Sequence, residues 1–386
     1  MYRFGFVIEQ TLGHVTHSQN LKKYVALDPA IEPAWILPAW DTAGLGARIP
    51  IYRSNWTVRA GMQARSGLAS FSRERIPDVL FFHTQVTATL ANDWLRRIPS
   101  VVSLDATPRQ YDELGDFYSH TRSPNWLEKL KWQQNRTCFS HARHLVTWSE
   151  WAKQGLVNEY EVPAEKVTVL PPGVDFQAWD GKTPRRPSTT VKILFVGGDL
   201  ERKGGLLLLQ AYRYLKQNLE VDLAGQPVDV KRNEKGLKLE LHLVTRTPLA
   251  PEAGVFVYDN LKPNSDQLKE LFFTSDIFCL PTRGDCLPMV LSEAGAAGLP
   301  CVSTSIAAIP EIVQEGETGF LVPPDDLQAL IDALQKLVLD PQLRLRQGQA
   351  ARQVVRQRFD AGKNAAHLLE LMKQIVGGTQ TQTRML

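Results

Sequence analysis

The chain has 386 residues, more than one hydrophobic core usually serves, so two domains of roughly 150–200 residues each are expected. Hydrophobic residues make up 43% and charged residues 22%, an ordinary globular composition that excludes a disordered or fibrous chain. The 44 basic and 41 acidic residues are scattered and leave a net charge of +3, which argues against a nucleic-acid partner and leaves only a weak pull toward anionic surfaces such as a membrane face.

The N-terminal MYRFGFVIEQTLGH carries a short apolar run ending at Glu9, without a basic n-region or a small-residue cleavage site, and reads as a first strand. No window approaches 18 continuous apolar residues, so no transmembrane helix is expected. Cys138, Cys279, Cys286 and Cys301 show no C-x-x-C spacing, which implies free thiols in a reducing compartment, the cytoplasm, with at most peripheral membrane contact. FGFVIE, DVLFFH, VVSLD, HLVTW and VTVLPPG are short apolar runs bounded by turn residues, the pattern of buried parallel strands with crossovers between them. Gly173 and Asp175 in PPGVD read as a structural turn. GKTPRRPSTT (181–190) breaks the pattern and reads as a linker. VKILFVGG then restarts it, followed by a helix from about Lys203, strands LELHLV, GVFVYD and DIFCLP, a helix near 289–297, and PCVST. Two βα series joined by a linker predict two Rossmann-like α/β domains, 1–182 and 190–355, facing each other across a cleft, with ligands at the strand C-terminal ends. After LVPPDD (321–326) come two helical stretches, LQALIDALQKLVLD and a longer run from Pro341 toward Ile375, with TQTRML frayed.

RGDCLPMVLSE (283–293) sets Asp285 on a loop and Glu293 inside the helix that follows Pro288, read as a first-turn proline. Eight helical residues span about 12 Å, too far for a close general-acid pair, so the two carboxylates grip different parts of a long ligand. Between them a helix N-terminus favours an anion. A ligand with hydroxylated ends and phosphates between is a sugar nucleotide, with Glu293 on the ribose and Asp285 on the transferred sugar. The plainer alternative is two solvated acids near a turn. In FVGGDLERKGG, Gly197 and Gly198 end a strand and Lys203-Gly204-Gly205 open a helix, where Lys203 is a point charge suited to a leaving diphosphate. The stretch is neither a Walker A loop nor G-x-G-x-x-G, which argues against an NTPase or a dinucleotide oxidoreductase.

HLVTWSEWAKQGLVNEYEVPAEKVTVLPPGVD, FVGGDLERKGG and CLPTRGDCLPMVLSEAGAAGLPCVSTSIAAIPEIVQEGETGFLVPPDD cover most of residues 140–330. In that order and spacing the chain resembles the GT-B-fold glycosyltransferases of the large retaining family 4. The resemblance implies two Rossmann-like domains with C-terminal helices, residues 356–386, crossing back onto the first. It implies an enzyme of the hexosyltransferase class that moves a sugar from a nucleotide-sugar donor to a hydroxyl of a sugar, lipid-linked or small-molecule acceptor, with retention of anomeric configuration.

Carried over residue by residue, the family's E-x7-E motif falls on Asp285 and Glu293, so the first acid reaches one methylene less far. The phosphate-binding lysine falls on Lys203. The arginine expected five residues earlier is Gly198, and Arg202 either supplies the missing charge or points to solvent. The glycine-rich run after the first acid is replaced by Cys286, Leu287 and Pro288, with Met289 next on the donor side. Tyr258 to Leu261, Asn260 among them, fall where family members contact the base. Gly13 falls on a flexible loop under the donor phosphates that also meets the acceptor. His14 and His17 share a helix face there, for the acceptor or for packing alone. His83 ends one strand. Asp105 ends another, where the family commonly has a histidine; it either accepts from the acceptor hydroxyl or caps a helix.

No Asp-x-Asp occurs, and the His and Cys residues lack ligand spacing, so no metal or other cofactor is expected: Lys203 and the helix dipole can neutralise the leaving phosphates. Two other readings stand beside transfer, a sugar-nucleotide 2-epimerase on the same fold and a catalytically silent sugar-nucleotide-binding subunit. The departures at Gly198, Asp285 and Asp105 keep the second of these open.

Overall fold

The computed structural model describes residues 1–10, 14–40, 52, 55–115, 124–179, 189–218 and 237–384. Their strands form two six-stranded, all-parallel sheets. The first holds β1 (Tyr2–Ile8), β2 (Ile31–Ile36), β3 (Val79–His83), β4 (Ser100–Leu104), β5 (His144–Thr147) and β6 (Val167–Val169), in the order β2-β1-β3-β4-β5-β6. The second holds β7 (Thr190–Val196), β8 (Lys238–Val244), β9 (Val255–Tyr258), β10 (Ile277–Leu280), β11 (Cys301–Thr304) and β12 (Gly319–Val322), in the order β12-β11-β10-β7-β8-β9. Each sheet is wound outward in both directions from a pair of central strands, β1 and β3 in one and β7 and β10 in the other. Loops leaving such a pair diverge, and the gap between them at the strand C-terminal ends is where α/β sheets take ligands.

β2 went unread in the sequence because IEPAWI carries Glu32 and Pro33, and proline cannot donate to a ladder. β2 is an edge strand paired only with β1, with Pro33 opposite Phe4, so one side of it needs no donor.

Alternation along the strands sends side chains to both faces of the first sheet. Val7, Leu80, Phe82, Val102 and Leu145 pack with Phe139, Leu156 and Tyr160 on one face. Phe4, Phe6, Ile8, Phe81, Val101 and Val146 pack on the other with Leu21 and Val25 of the helix His14–Val25 and with Leu368, Leu369, Met372 and Val376 of the helix Ala361–Arg384. The last four lie at helical spacing on one stripe. Lys373 Nζ donates to Asp28 Oδ2 at 2.8 Å and Asn364 Nδ2 to the carbonyl of Pro171 at 2.9 Å, which fixes that helix at two further points. Asn20 Nδ2 donates to the Gly173 carbonyl at 2.9 Å and holds the PPGVD turn.

The chain divides into two compact units, the first mainly Met1–Glu113, His120–Gly173 and Ala361–Leu386 and the second mainly Val174–Asp360. The division after Gly173 falls earlier than the linker read from the sequence. The helix Phe176–Trp179 belongs with the second unit because Trp179 packs against Phe272 and Phe273, with ring centroids 5.4 and 5.5 Å away. Residues 181–188 of that linker lie outside the described residues. The long run from Pro341 is two helices, Pro341–Arg358 and Ala361–Arg384. They part at Phe359, whose carbonyl accepts from Val174 N at 2.8 Å. The final stretch read as frayed is helical in its backbone to Arg384.

Met372 has no exposed surface and sits against the β1 and β3 aromatics. Met372→Ala is expected to destabilise the first unit by about 2–5 kcal/mol, read as a fall in its urea midpoint at unchanged slope.

Candidate functional site

The gap between β7 and β10 is lined by two loops that the chain pins together. Gly204 holds φ at +75°, and a Cβ there would lie 1.9 Å from the Pro281 carbonyl oxygen, so only glycine lets the turn after β7 close on the loop after β10. Arg283 N donates to the Arg202 carbonyl at 2.9 Å across the same seam. The helix itself is Gly205–Asn218, which leaves Lys203 on the turn before it.

Lys203 Nζ reaches Asp285 Oδ1 and Oδ2 at 2.5 and 2.6 Å, and Thr282 Oγ1 donates to Oδ2 at 2.8 Å. Arg202 Nη1 donates to the Gly284 carbonyl at 2.6 Å and stands 3.7 Å from Asp285 Oδ1. Arg202 is thus turned onto the loop, not into solvent. Lys203 is not a solvated helix-start residue either: the structure pairs it with the acid that the sequence assigned to a different part of the ligand. Asp285 is 7% exposed, so it is not a solvated turn acid.

Glu293 lies on the helix Met289–Ala296, which opens after Pro288 at the cap position rather than in the first turn. It too is 7% exposed, and among the described residues its side chain has no hydrogen-bond partner. Burial pushes its carboxyl up to about 7, partly offset by the charge of Lys269. Cys286, Leu287 and Met289 are buried, and the Cys286 carbonyl accepts from Ala308 N at 3.1 Å, so this run shapes the loop with packed side chains. Gly198 is exposed and a Cβ there would meet nothing within 4 Å. Asn260 is exposed just past the end of β9.

A second cluster fills the gap between β1 and β3 in the first unit. His14 Nδ1 lies 2.8 Å from His83 Nε2 and 3.4 Å from Glu9 Oε1. Trp56 Nε1 donates to Glu9 Oε2 at 2.8 Å and Thr84 Oγ1 to Oε1 at 3.2 Å. His83 is wholly buried, stacked on Trp148 at 5.2 Å and 4.7 Å from the His17 ring, so it faces its neighbours and not a ligand. Burial lowers His83 well below the ordinary histidine value and His17 to about 3, so both are neutral. Burial raises the Glu9 carboxyl, partly offset by His14 and by the Trp56 hydrogen bond. Asp105 is half-buried at the end of β4 and its charge is felt at Glu9. The helix Pro108–Glu113 is capped by Thr107, whose Oγ1 accepts from Gln110 N at 3.1 Å. Gly13 lies outside the described residues. Sequence reading missed Glu9, Thr84, Trp56 and Trp148 as site residues. The signal for Glu9 was an apolar strand ending in an acid at its carboxyl end.

Residues 179–354 match the family model described as glycosyl transferases group 1, and residues 26–178 match glycosyltransferase family 4. A glycosyltransferase from Rickettsia africae aligns over 97% of this chain and 98% of its own, with a TM-score of 0.66 at 17% identity. Sucrose-phosphate synthase from Thermosynechococcus elongatus aligns over 98% and 100% at 0.67 and 14%, and an Anabaena protein solved with UDP and glucose over 97% and 100% at 0.65 and 14%. The chain has the GT-B fold. Among curated relatives, this GT-B chain is 32% identical over 187 residues to the putative colanic acid biosynthesis glycosyltransferase WcaL of Salmonella typhimurium, covering 47% of this chain and 43% of that one. It is 30% identical over 226 residues to the D-inositol 3-phosphate glycosyltransferase of Streptomyces avermitilis, covering 54% and 47%. The chain spans about half the length of the curated relatives it matches.

Glu293 yields a test of stability against pH. Its folded value near 7 lies above the ordinary 4.5, so the folded protein is penalised where the carboxyl is ionised, and stability is lost as pH rises from 4.5 through 7. At pH 8 Glu293→Gln should stabilise the ligand-free protein by about 3 kcal/mol, a gain that shrinks as pH falls toward 4.5. Urea unfolding at both pH values checks it.

Proposed function

We propose that this chain is a glycosyltransferase that moves a sugar from a nucleotide-sugar donor to an acceptor hydroxyl, with retention and without a metal ion. The observation that carries the reading is a contrast after β10: Lys203 and Arg202 are gathered on Asp285 in the loop, while on the helix that follows, the buried Glu293 has no hydrogen-bond partner among the described residues. An ionised carboxylate accepts from two vicinal hydroxyls, which is what a ribose offers, and the two cations match a diphosphate. An incoming diphosphate competes with Asp285 for Lys203 and can free the Asp285 carboxylate for a hydroxyl of the sugar. As the bond to the sugar breaks, negative charge grows on the diphosphate, and a fixed ammonium stabilises that state more than the ground state. Those charges are the reason we propose chemistry without a metal. Relatives named as glycosyltransferases favour transfer over epimerisation or silent binding, and a structural neighbour solved with UDP-glucose supports a donor of that class. Among the described residues no helix is long and apolar enough to cross a membrane. The four buried free cysteines suit a cytoplasmic setting, with an acceptor met in solution or at a membrane face.

The direct test is a panel of UDP-, GDP- and ADP-sugars scored by thermal shift and then by radiolabel transfer. A donor at 100 times its Kd should stabilise by roughly 2.7 kcal/mol. No stabilisation and no transfer by any of them would overturn the reading, and activity lost to EDTA and restored by manganese would overturn its metal-free part. Because Glu293 must shed its proton to accept hydroxyls, donor affinity should rise with pH and level off above about 7. Lys203→Ala should lower kcat by about 10²-fold, with Lys203→Arg recovering part of it. Alanine also strips Asp285 of its partner, so the double variant Lys203→Met, Asp285→Asn is compared with Asp285→Asn alone: near-normal melting with kcat well below that of the single variant supports the diphosphate role, and a kcat equal to it ends that role.

A further inference from the structure

His17 borders a cavity of about 30 Å³, and every residue that lines this cavity belongs to the first unit. Apolar walls come from Leu21 of the helix His14–Val25, Phe81 and Val146 of the sheet, and Leu368 of the helix Ala361–Arg384. What the cavity can hold is decided by three polar side chains in its lining, His17, Ser103 and Asn20. His17 Nε2 is buried and has no hydrogen-bond partner among the described residues. Burial lowers this ring to about 3 and keeps it neutral, so one nitrogen carries a hydrogen and the other a lone pair. Ser103 Oγ accepts from Trp148 Nε1 at 3.2 Å, and its own hydrogen has no acceptor among the described residues. Asn20 Nδ2 donates to the Gly173 carbonyl at 2.9 Å, which leaves Oδ1 able to accept. No hydrogen bond joins His17 to Ser103 directly, although both face the same space.

A buried ring nitrogen left without a partner carries its full desolvation cost, and an apolar wall does nothing to offset it. About 10–15 Å³ is room enough for one water, and a buried water is held by two to four polar partners. The cavity meets both conditions and is too small for a sugar or a phosphate. We propose that it is an internal water site: a water accepts from the Ser103 hydroxyl and bonds His17 Nε2, with Asn20 Oδ1 in the same lining to take a further hydrogen. Water both donates and accepts, so it serves Nε2 whichever ring nitrogen carries the hydrogen. The site is independent of glycosyl transfer. It ties the helix His14–Val25 to β4 and, through Asn20, to the PPGVD turn at which the first unit gives way to the second. The same water fixes the ring that lies 4.7 Å from His83.

The test uses the full, ligand-free chain. A high-resolution crystal structure should show a water about 2.7–3.2 Å from His17 Nε2 and from Ser103 Oγ. Density without that water, or a direct bond from Ser103 to His17 that closes the space, overturns the proposal. Oxygen-17 relaxation dispersion, which counts waters held inside a protein, reads the same site in solution. Ala365 lines the cavity, and Ala365→Val fills it with methyl groups, so this variant should lose one long-lived water relative to wild type. An unchanged count overturns the site. His17→Phe keeps a ring of similar size and removes both nitrogens, and it should shorten the residence time of the water or lose it. An unchanged residence time overturns the bond to Nε2. Should either variant fail to fold, the wild-type density decides alone.

Discussion

A parallel sheet wound in both directions from a central strand pair must leave that pair by loops that part, and nothing else in the sheet can fill the gap. Both sheets of this chain obey the constraint, and both clusters of ionisable side chains sit at it. Glu9 and His14 follow β1 and meet His83 and Thr84 at the end of β3; Lys203 follows β7 and meets Asp285 beyond β10. The glycines act in service of the same constraint. Gly204 lets the β7 turn touch backbone where any side chain would collide, and that contact brings Lys203 within reach of an acid 82 residues away.

The two gaps solve the problem of buried charge in opposite ways. In the first, each oxygen of Glu9 has a neutral donor, so the carboxylate is largely satisfied by the protein. In the second, one acid is over-supplied with cations while Glu293, equally buried, has no hydrogen-bond partner among the described residues. An unsatisfied carboxyl of that kind is costly in a core and is the sort of local violation that functional sites carry. Asp285 has less reach than a glutamate would, and Thr282 and Lys203 hold both of its oxygens close to the loop.

Much of the architecture was legible because strand runs such as DVLFFH and VKILFVGG are short, apolar and bounded by turn residues. The exceptions have local causes. Pro33 hid β2 because a proline argues against a central strand and says nothing about an edge one. Phe359 ended a helix through a backbone bond to Val174 that no periodicity announces. At the sites, Lys203 and Asp285 were visible as residues but their pairing was not, and Glu9 was read only as the end of a strand. Its partner Trp56 lies 47 residues on, beyond the range of any pattern of three or four positions. Thr107 took the cap role weighed for Asp105 because helix geometry puts the cap directly before Pro108.

The helix Ala361–Arg384 covers one face of a sheet whose first strand begins at Tyr2. On the ribosome, domains generally fold as units in the order in which they emerge. Here Phe4, Phe6, Phe81 and Val101 wait for Leu368, Met372 and Val376, which are made only after everything from Val174 to Asp360 is available to close the second core. Of the two units, the one begun earlier is therefore finished later, and until then its aromatic face needs shielding from other chains.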